Sequence, residues 1–257
     1  MGWLVFWAVL LSAALAGFVA LGTWQIQRMH WKHALIVRVE GFLNAPPVAA
    51  PGPGDWAGLQ TDHDEYRRVE LQGTLLDREI LVQANTRLGA GFWVMTPLQR
   101  DDGSIVFINR GFVDAAHRDP SVRGAAPAAG PVRITGLLRV SQPGGGFLRA
   151  NVPAEHRWYS RDTAAMGLAL GLSPVAPYFV DQSDPAAGPV HVNRPDDDPA
   201  FAAPPDHWPV AGLTVVHFRD EHLSYALTWY VLAAMTALAL GYGVRLERRR
   251  RRAGQGT

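Results

Sequence analysis

Apolar and polar positions along this chain change period twice. The stretch "GWLVFWAVLLSAALAGFVALGTWQIQ" carries no charge between Met1 and Gln27, and a second run, Leu223–Val244, carries none either. Each exceeds the roughly 20 residues an α-helix needs to cross about 30 Å of hydrocarbon. Neither has the polar face that a buried soluble helix of that length would show. A cleavable signal peptide is the rival reading of the first run. That run lacks a basic leading segment, its apolar core is too long, and no small-x-small cleavage site follows it. The pattern therefore predicts membrane-spanning helices over residues 1–27 and 221–244. Helical spacing continues beyond the first span, at Trp31, Leu35, Val39 and Phe42, which predicts a helical extension over 28–45 at the outer interface. The Pro- and Gly-rich "NAPPVAAPGPG" then ends it in a loop.

From Tyr66 the period drops to two. In "YRRVELQGTL" Val69, Leu71 and Leu75 alternate with polar residues, as in a half-buried strand. "EILVQANTR" is the expected partner of that strand. "GFWVMTPLQ" and "SIVFINRG", joined by "RDDG", form the clearest hairpin, with Gly103 supplying the positive φ of a tight turn. "PVRITGLLRVS", "APYFVDQ" and "WPVAGLTVVHF" read as further strands, "RDTAAMGLALG" as a short helix with a glycine stop, and 188–209 as a long Pro/Asp-rich loop. The expected fold is a membrane protein of the α+β class. Two terminal transmembrane helices flank a mainly β domain over 46–220, a small barrel-like or curled sheet.

Charge sets the orientation. Six arginines, Arg245 and Arg248 to Arg252, follow the second span and mark the tail, 245–257, as cytoplasmic by the positive-inside rule. Arg28 and Lys32, just after the first span, argue the other way, but the C-terminal cluster is larger and the rule counts poorly across a long loop. Both termini are then cytoplasmic and the β domain lies outside, in a bacterial periplasm if the arginine-rich composition, one lysine among 24 basic residues, reflects a GC-rich genome. The intervening domain is mildly acidic and offers no footprint for nucleic acid. The chain has no cysteine, which excludes disulfides, thiolate metal sites and a thiol nucleophile.

Candidate chemistry gathers at the outer ends of the two spans. In "EHLSYALTWY" His222, Tyr225 and Trp229 stand at i, i+3 and i+7 on one helical face. Trp24, Gln27, Arg28 and Trp31 make a similar stripe on the first helix, at the same membrane level. Two readings are open. One is an aromatic belt with a hydrated histidine beside it. The other is a haem site, in which a neutral imidazole ligates iron, flat aromatics flank the porphyrin and Arg28 pairs with a propionate. His30 and His33 are then candidate second ligands. In the "FINRGFV" corner Gly111 is expected to fill a conformation that needs no Cβ, and Arg110 to satisfy exposed carbonyls, a structural use, or to grip a carboxylate. No GxSxG, HExxH, P-loop or dinucleotide-glycine pattern is present, so the sequence gives no support for an enzyme. The methionines are few and scattered, which disfavours copper carriage.

Taken together, "LGTWQIQRMHWKHALI", "YRRVELQGTLL", "NTRLGAGFWVMTPL", "VFINRGFV" and "HLSYALTWYVLA" resemble the surfeit-locus-one family of cytochrome c oxidase assembly proteins, in order and over nearly the whole chain. The resemblance implies an inner-membrane, non-enzymatic assembly factor, a chaperone of respiratory-chain biogenesis. It would bind haem a transiently and assist its insertion into the oxidase catalytic subunit. Implied partners are that subunit, the haem a synthesis machinery and membrane lipid. The family's haem-linked histidine corresponds to His222, making it the implied iron ligand, with Tyr225, Trp229, Trp24 and Arg28 around the cofactor; its glycine corresponds to Gly111. A scaffold that holds the catalytic subunit without carrying haem is the alternative role.

Overall fold

The two apolar runs become the two long helices of the molecule. α1 (Gly2–Asn44) runs unbroken through the expected 27/28 boundary and stops one residue before the Ala-Pro-Pro of "NAPPV", where a proline lacks the N–H and removes the preceding residue from helical space. α4 (His222–Gly254) begins at the histidine and continues into the arginine tail. The computed structural model describes residues 2–124, 130–146, 148–183, 207–213 and 221–254. The chain divides into two compact units, Met1–Val37 with Phe218–Thr257, and Arg38–His217.

In the first unit, both helices are long and apolar enough to cross a membrane. Much of the surface they expose is apolar, including Val5, Val9, Leu227 and Leu238, as lipid-facing positions require. The less exposed positions of α1 run Leu11, Leu15, Phe18, Gly22, Gln25, Met29, a four-three alternation that marks one seam. On α4 the matching positions are His222, Ala226, Trp229, Ala233 and Thr236, with both alanines buried. Small residues in the seam let helices approach closely where no hydrophobic effect drives them together. Gly22 is such a point, because a Cβ there would lie 2.9 Å from the Tyr230 ring.

The second unit is the β domain. Its elements are β1 (Val48–Ala49), a single helical turn α2 (Thr61–Asp64), β2 (Arg68–Leu75), β3 (Ile80–Thr86), β4 (Gly89–Gln99), β5 (Ile105–Asp114), β6 (Pro131–Val140), α3 (Thr163–Leu170) and β7 (Val175–Gln182). The sheet order is β1-β2-β6-β7-β5-β4-β3, and a further pairing of β2 with β4 closes β2, β6, β7, β5 and β4 into a five-stranded ring. β7 lies parallel to β5 and the other ring pairs are antiparallel. The expected barrel-like sheet is thus a closed one.

Strand alternation then sorts the core into two. Val69 and Leu71, Leu98, Val106 and Ile108, Ile134 and Leu138, Tyr178 and Val180 come from all five ring strands and fill the interior. The opposite parity, Met95, Phe107 and Phe179, packs outside the ring against Ile80, Val82, Trp158 and Met166. α3 covers this outer face. Asp162 caps it by accepting from the Ala165 N–H at 3.0 Å, and Gly171 ends it at φ +65°. The β4–β5 turn is as expected, with Gly103 at φ +81°.

Two expectations are corrected, and two others fall partly outside the described residues. β3 does not pair with β2 but with β4, from Ile80↔Met95 to Thr86↔Gly89. The reason is that β6 occupies one edge of β2 along its length, while the other edge takes β1 and the end of β4. The loop after α1 contains the short strand β1, parallel to β2. Of "WPVAGLTVVHF", the described residues form a single bridge, Val210 with Phe112, and 214–218 lie outside the described residues. The loop expected over 188–209 likewise falls outside them up to 206.

Candidate functional site

α4 opens at His222, half-buried on the seam, and its ring meets the first helix there. His222 Nδ1 lies 2.8 Å from Gln25 Oε1. An amide oxygen can only accept, so in this arrangement Nδ1 is the donor, and a neutral ring so held has its lone pair on Nε2. This is how a histidine that ligates a metal is commonly held, its second ring N–H given to an oxygen that fixes both tautomer and ring plane. Two turns further along, Trp229 stacks on Phe18 with centroids 5.8 Å apart and planes at 24°. One residue beyond, the Tyr230 hydroxyl is 3.3 Å from Thr23 Oγ1, which itself donates to the Val19 carbonyl at 2.9 Å. The histidine therefore stands at one end of a packed stripe of aromatic and polar contacts.

The structure brings His222 and Trp229 onto this face. Tyr225 turns outward and is 52% exposed, and Trp24 is 54% exposed. Arg28 lies over the Trp31 ring, 4.0 Å from its centroid, on the exposed side of α1. His30 and His33 are also on exposed positions of that helix. Gln25 is the residue that sequence reasoning missed. Aromatic weight drew attention to the neighbouring Trp24 stripe, whereas the four-three spacing of Leu11, Leu15, Phe18 and Gly22 leads to Gln25. Among the described residues no cluster of three or more metal-ligating side chains occurs.

The "NRG" corner of β5 divides its three residues among three tasks. Asn109 donates from Nδ2 to Asp181 Oδ1 at 2.7 Å and accepts from the Gly111 N–H at 3.2 Å. Asp181 also receives Arg139 at 3.0 Å and Arg161 at 3.4 Å, and Arg139 reaches Glu65 at 2.7 Å. Burial alone would lower Arg139, but Asp181, Tyr66 and Glu65 outweigh it and hold the guanidinium above its ordinary range. Arg161 moves the other way, because burial exceeds the attraction of Asp181. Gly111 sits at φ +130°, and a Cβ there would lie 2.2 Å from the Val210 carbonyl oxygen. Its absence lets Phe112 and Val210 exchange two backbone hydrogen bonds of 2.9 Å. Arg110 lines a cavity beside the corner.

The chain is similar to known proteins over most of its length. The family model described as the SURF1 family matches residues 12–234. A SURF1-like protein of Monosiga brevicollis is 35% identical over 246 residues, covering 90% of this chain and 84% of that protein. Surfeit locus protein 1 of Homo sapiens is 32% identical over 251 residues, covering 90% and 74%, and that of Mus musculus 31% over 248, covering 90% and 72%. With two apolar terminal helices around a closed β domain, and a match spanning both, the chain belongs to the SURF1 family.

Proposed function

We propose that this chain is a membrane-anchored assembly factor for cytochrome c oxidase that carries haem a as cargo, with His222 Nε2 as an iron ligand. The observation that carries the reading is the His222–Gln25 hydrogen bond. It holds the ring through Nδ1, the arrangement in which a neutral imidazole offers Nε2 to a metal. The Phe18–Trp229 stack supplies a flat apolar surface on the same seam, and Arg28 offers a guanidinium to a propionate. In this reading α1 and α4 cross the inner membrane, the arginine tail is cytoplasmic, and the β domain faces the periplasm where it meets the catalytic subunit.

The test is haem content. Full-length protein is purified from cells that make haem a, as wild type, His222→Ala and Gln25→Leu. A Soret band is expected in wild type and is lost in His222→Ala. Gln25→Leu retains the ligand but loses its orientation, so haem affinity falls by about tenfold or more. Equal haem in wild type and His222→Ala overturns the ligand role and favours a scaffold that supports the oxidase subunit without carrying haem.

A further inference from the structure

A cavity of about 380 Å³ opens beside the "NRG" corner, wholly within the β domain, and its polar lining is unfinished. Along β5 Arg110 follows the interior residues Val106 and Ile108 and stands at the bulge where the β4–β5 register shifts, between Asn109↔Met95 and Phe112↔Trp93. Alternation along β4 places Thr96 on the parity of Leu98, likewise interior. Thr96 pairs with Ile108 across the strands, two residues before Arg110. Both residues line the same cavity.

Thr96 is 2% exposed, and its hydroxyl has no hydrogen-bond partner. Buried hydroxyls are nearly always partnered, so this one is left to a group that the described protein atoms do not supply. Arg110 is half-buried and makes no hydrogen bond or ion pair among the described residues. Its neighbour Arg123 is instead saturated, donating to Glu79 at 2.8 Å, to the His117 carbonyl at 2.6 Å and to the Arg118 carbonyl. That pairing uses the Glu79 carboxylate. Burial pulls the Arg110 guanidinium below its ordinary range, the electrostatic sign of a cation without enough counter-charge.

The lining also selects among anions. Arg78, Arg110 and Arg123 line it with Asp77 and Glu79, one net positive charge, which draws in an anion, and the apolar walls favour one with an apolar body over the fully hydrated inorganic phosphate. The remaining walls include Leu76, Pro120 and Trp208. Trp208 is held flat by His117, with rings 4.4 Å apart at 18°, so an apolar surface stands ready beside the cation. We propose that this cavity binds a monocarboxylate with a small apolar body, its carboxylate in the fork of Arg110 and the Thr96 hydroxyl, its body against Leu76, Pro120 and Trp208. A guanidinium fork matches a planar carboxylate in two parallel hydrogen bonds. The volume is at the small end of ligand pockets. The site shares no residue with the His222 seam, and its failure would leave the haem reading untouched.

The test uses the full-length protein in detergent and 4-fluorobenzoate as probe, followed by ¹⁹F NMR. Competitors are benzoate, its neutral analogue benzamide, and inorganic phosphate. Saturable binding is expected, displaced by benzoate and by neither benzamide nor phosphate. Arg110→Met weakens it at least about tenfold. Thr96→Val keeps the side-chain shape, so it decides the matter if Arg110→Met does not fold. It weakens binding severalfold while raising the melting temperature of the free protein, because it deletes an unsatisfied hydroxyl. A merely structural Thr96 would lower both. Binding that does not saturate, equal affinity in wild type and both variants, or phosphate displacing the probe more tightly than benzoate each overturns the proposal.

Discussion

Gly111→Ala isolates what the "NRG" corner does for the fold, and its cost can be worked from two terms. The first is conformational: φ is +130°, and holding an L residue in such a region costs about 1–3 kcal/mol. The second is steric. The new Cβ would stand 2.2 Å from the Val210 oxygen and 2.4 Å from its carbonyl carbon. Backbone atoms at that distance must retreat by more than an ångström. The two 2.9 Å hydrogen bonds between Phe112 and Val210 cannot survive such a shift, which adds about 1 kcal/mol for each. The expected total is about 3–5 kcal/mol, or a fall in melting temperature of roughly 6–20 °C for a domain of this size. Gly103→Ala is the matched control: φ there is +81°, but nothing lies within 4 Å of the added Cβ. It carries the conformational term alone, about 1–2 kcal/mol. The assay is heat and urea unfolding of the purified full chain, read by tryptophan fluorescence, since Trp208 lies 6.4 Å from Phe112. If Gly111→Ala costs no more than Gly103→Ala, the close approach of Val210 is not what fixes the glycine, and the steric half of the reasoning fails.

Two further outcomes follow from the interior of the same domain. Tyr178 is fully buried, its hydroxyl donates to the Pro51 carbonyl at 2.8 Å, and burial pushes its pKa up to about 12 from the usual 10. A raised value stabilises the fold below the unfolded pKa and is lost as pH rises through the folded one, so about 2–3 kcal/mol should disappear between pH 10 and 12. Tyr178→Phe should flatten that part of a pH–stability curve, and an unchanged slope would refute the assignment. Asp181→Ala should cost about 3–5 kcal/mol in urea unfolding, because it strips a buried counter-charge from Arg139 and Arg161 and a partner from Asn109. A loss below 1 kcal/mol would mean that water or Glu65 replaces it.

The residues that were legible in sequence and those that were not differ in how far their signal reaches along the chain. The two spans, the Gly103 hairpin and the capped helix α3 are local: each is written in a run of uniform polarity, a turn dipeptide or a cap followed by a glycine stop, and each appears where the pattern puts it. Strand partners are not local. β2 and β3 are neighbours in sequence, yet β2 spends its edge on β6, some 60 residues away, because closure of the ring satisfies more backbone groups than a simple meander would. The same distinction governs the sites. His222 announces itself as a polar residue at the edge of an apolar run, but the residue that holds its ring is 197 positions earlier. Neither Gln25 nor its neighbour Trp24 looks decisive until the seam is drawn. Gly22 shows how it is drawn: with no side chain of its own it admits Tyr230, and one three-residue step along that row arrives at Gln25. Thr96 is the extreme case. A threonine in a strand is ordinary, and its isolation becomes visible when ring closure turns its parity inward, at a cavity that Arg110 also lines. Arg110, expected to satisfy carbonyls or to grip a carboxylate, is half-buried at that cavity with no hydrogen bond or ion pair among the described residues, a setting that its place in the sequence does not show.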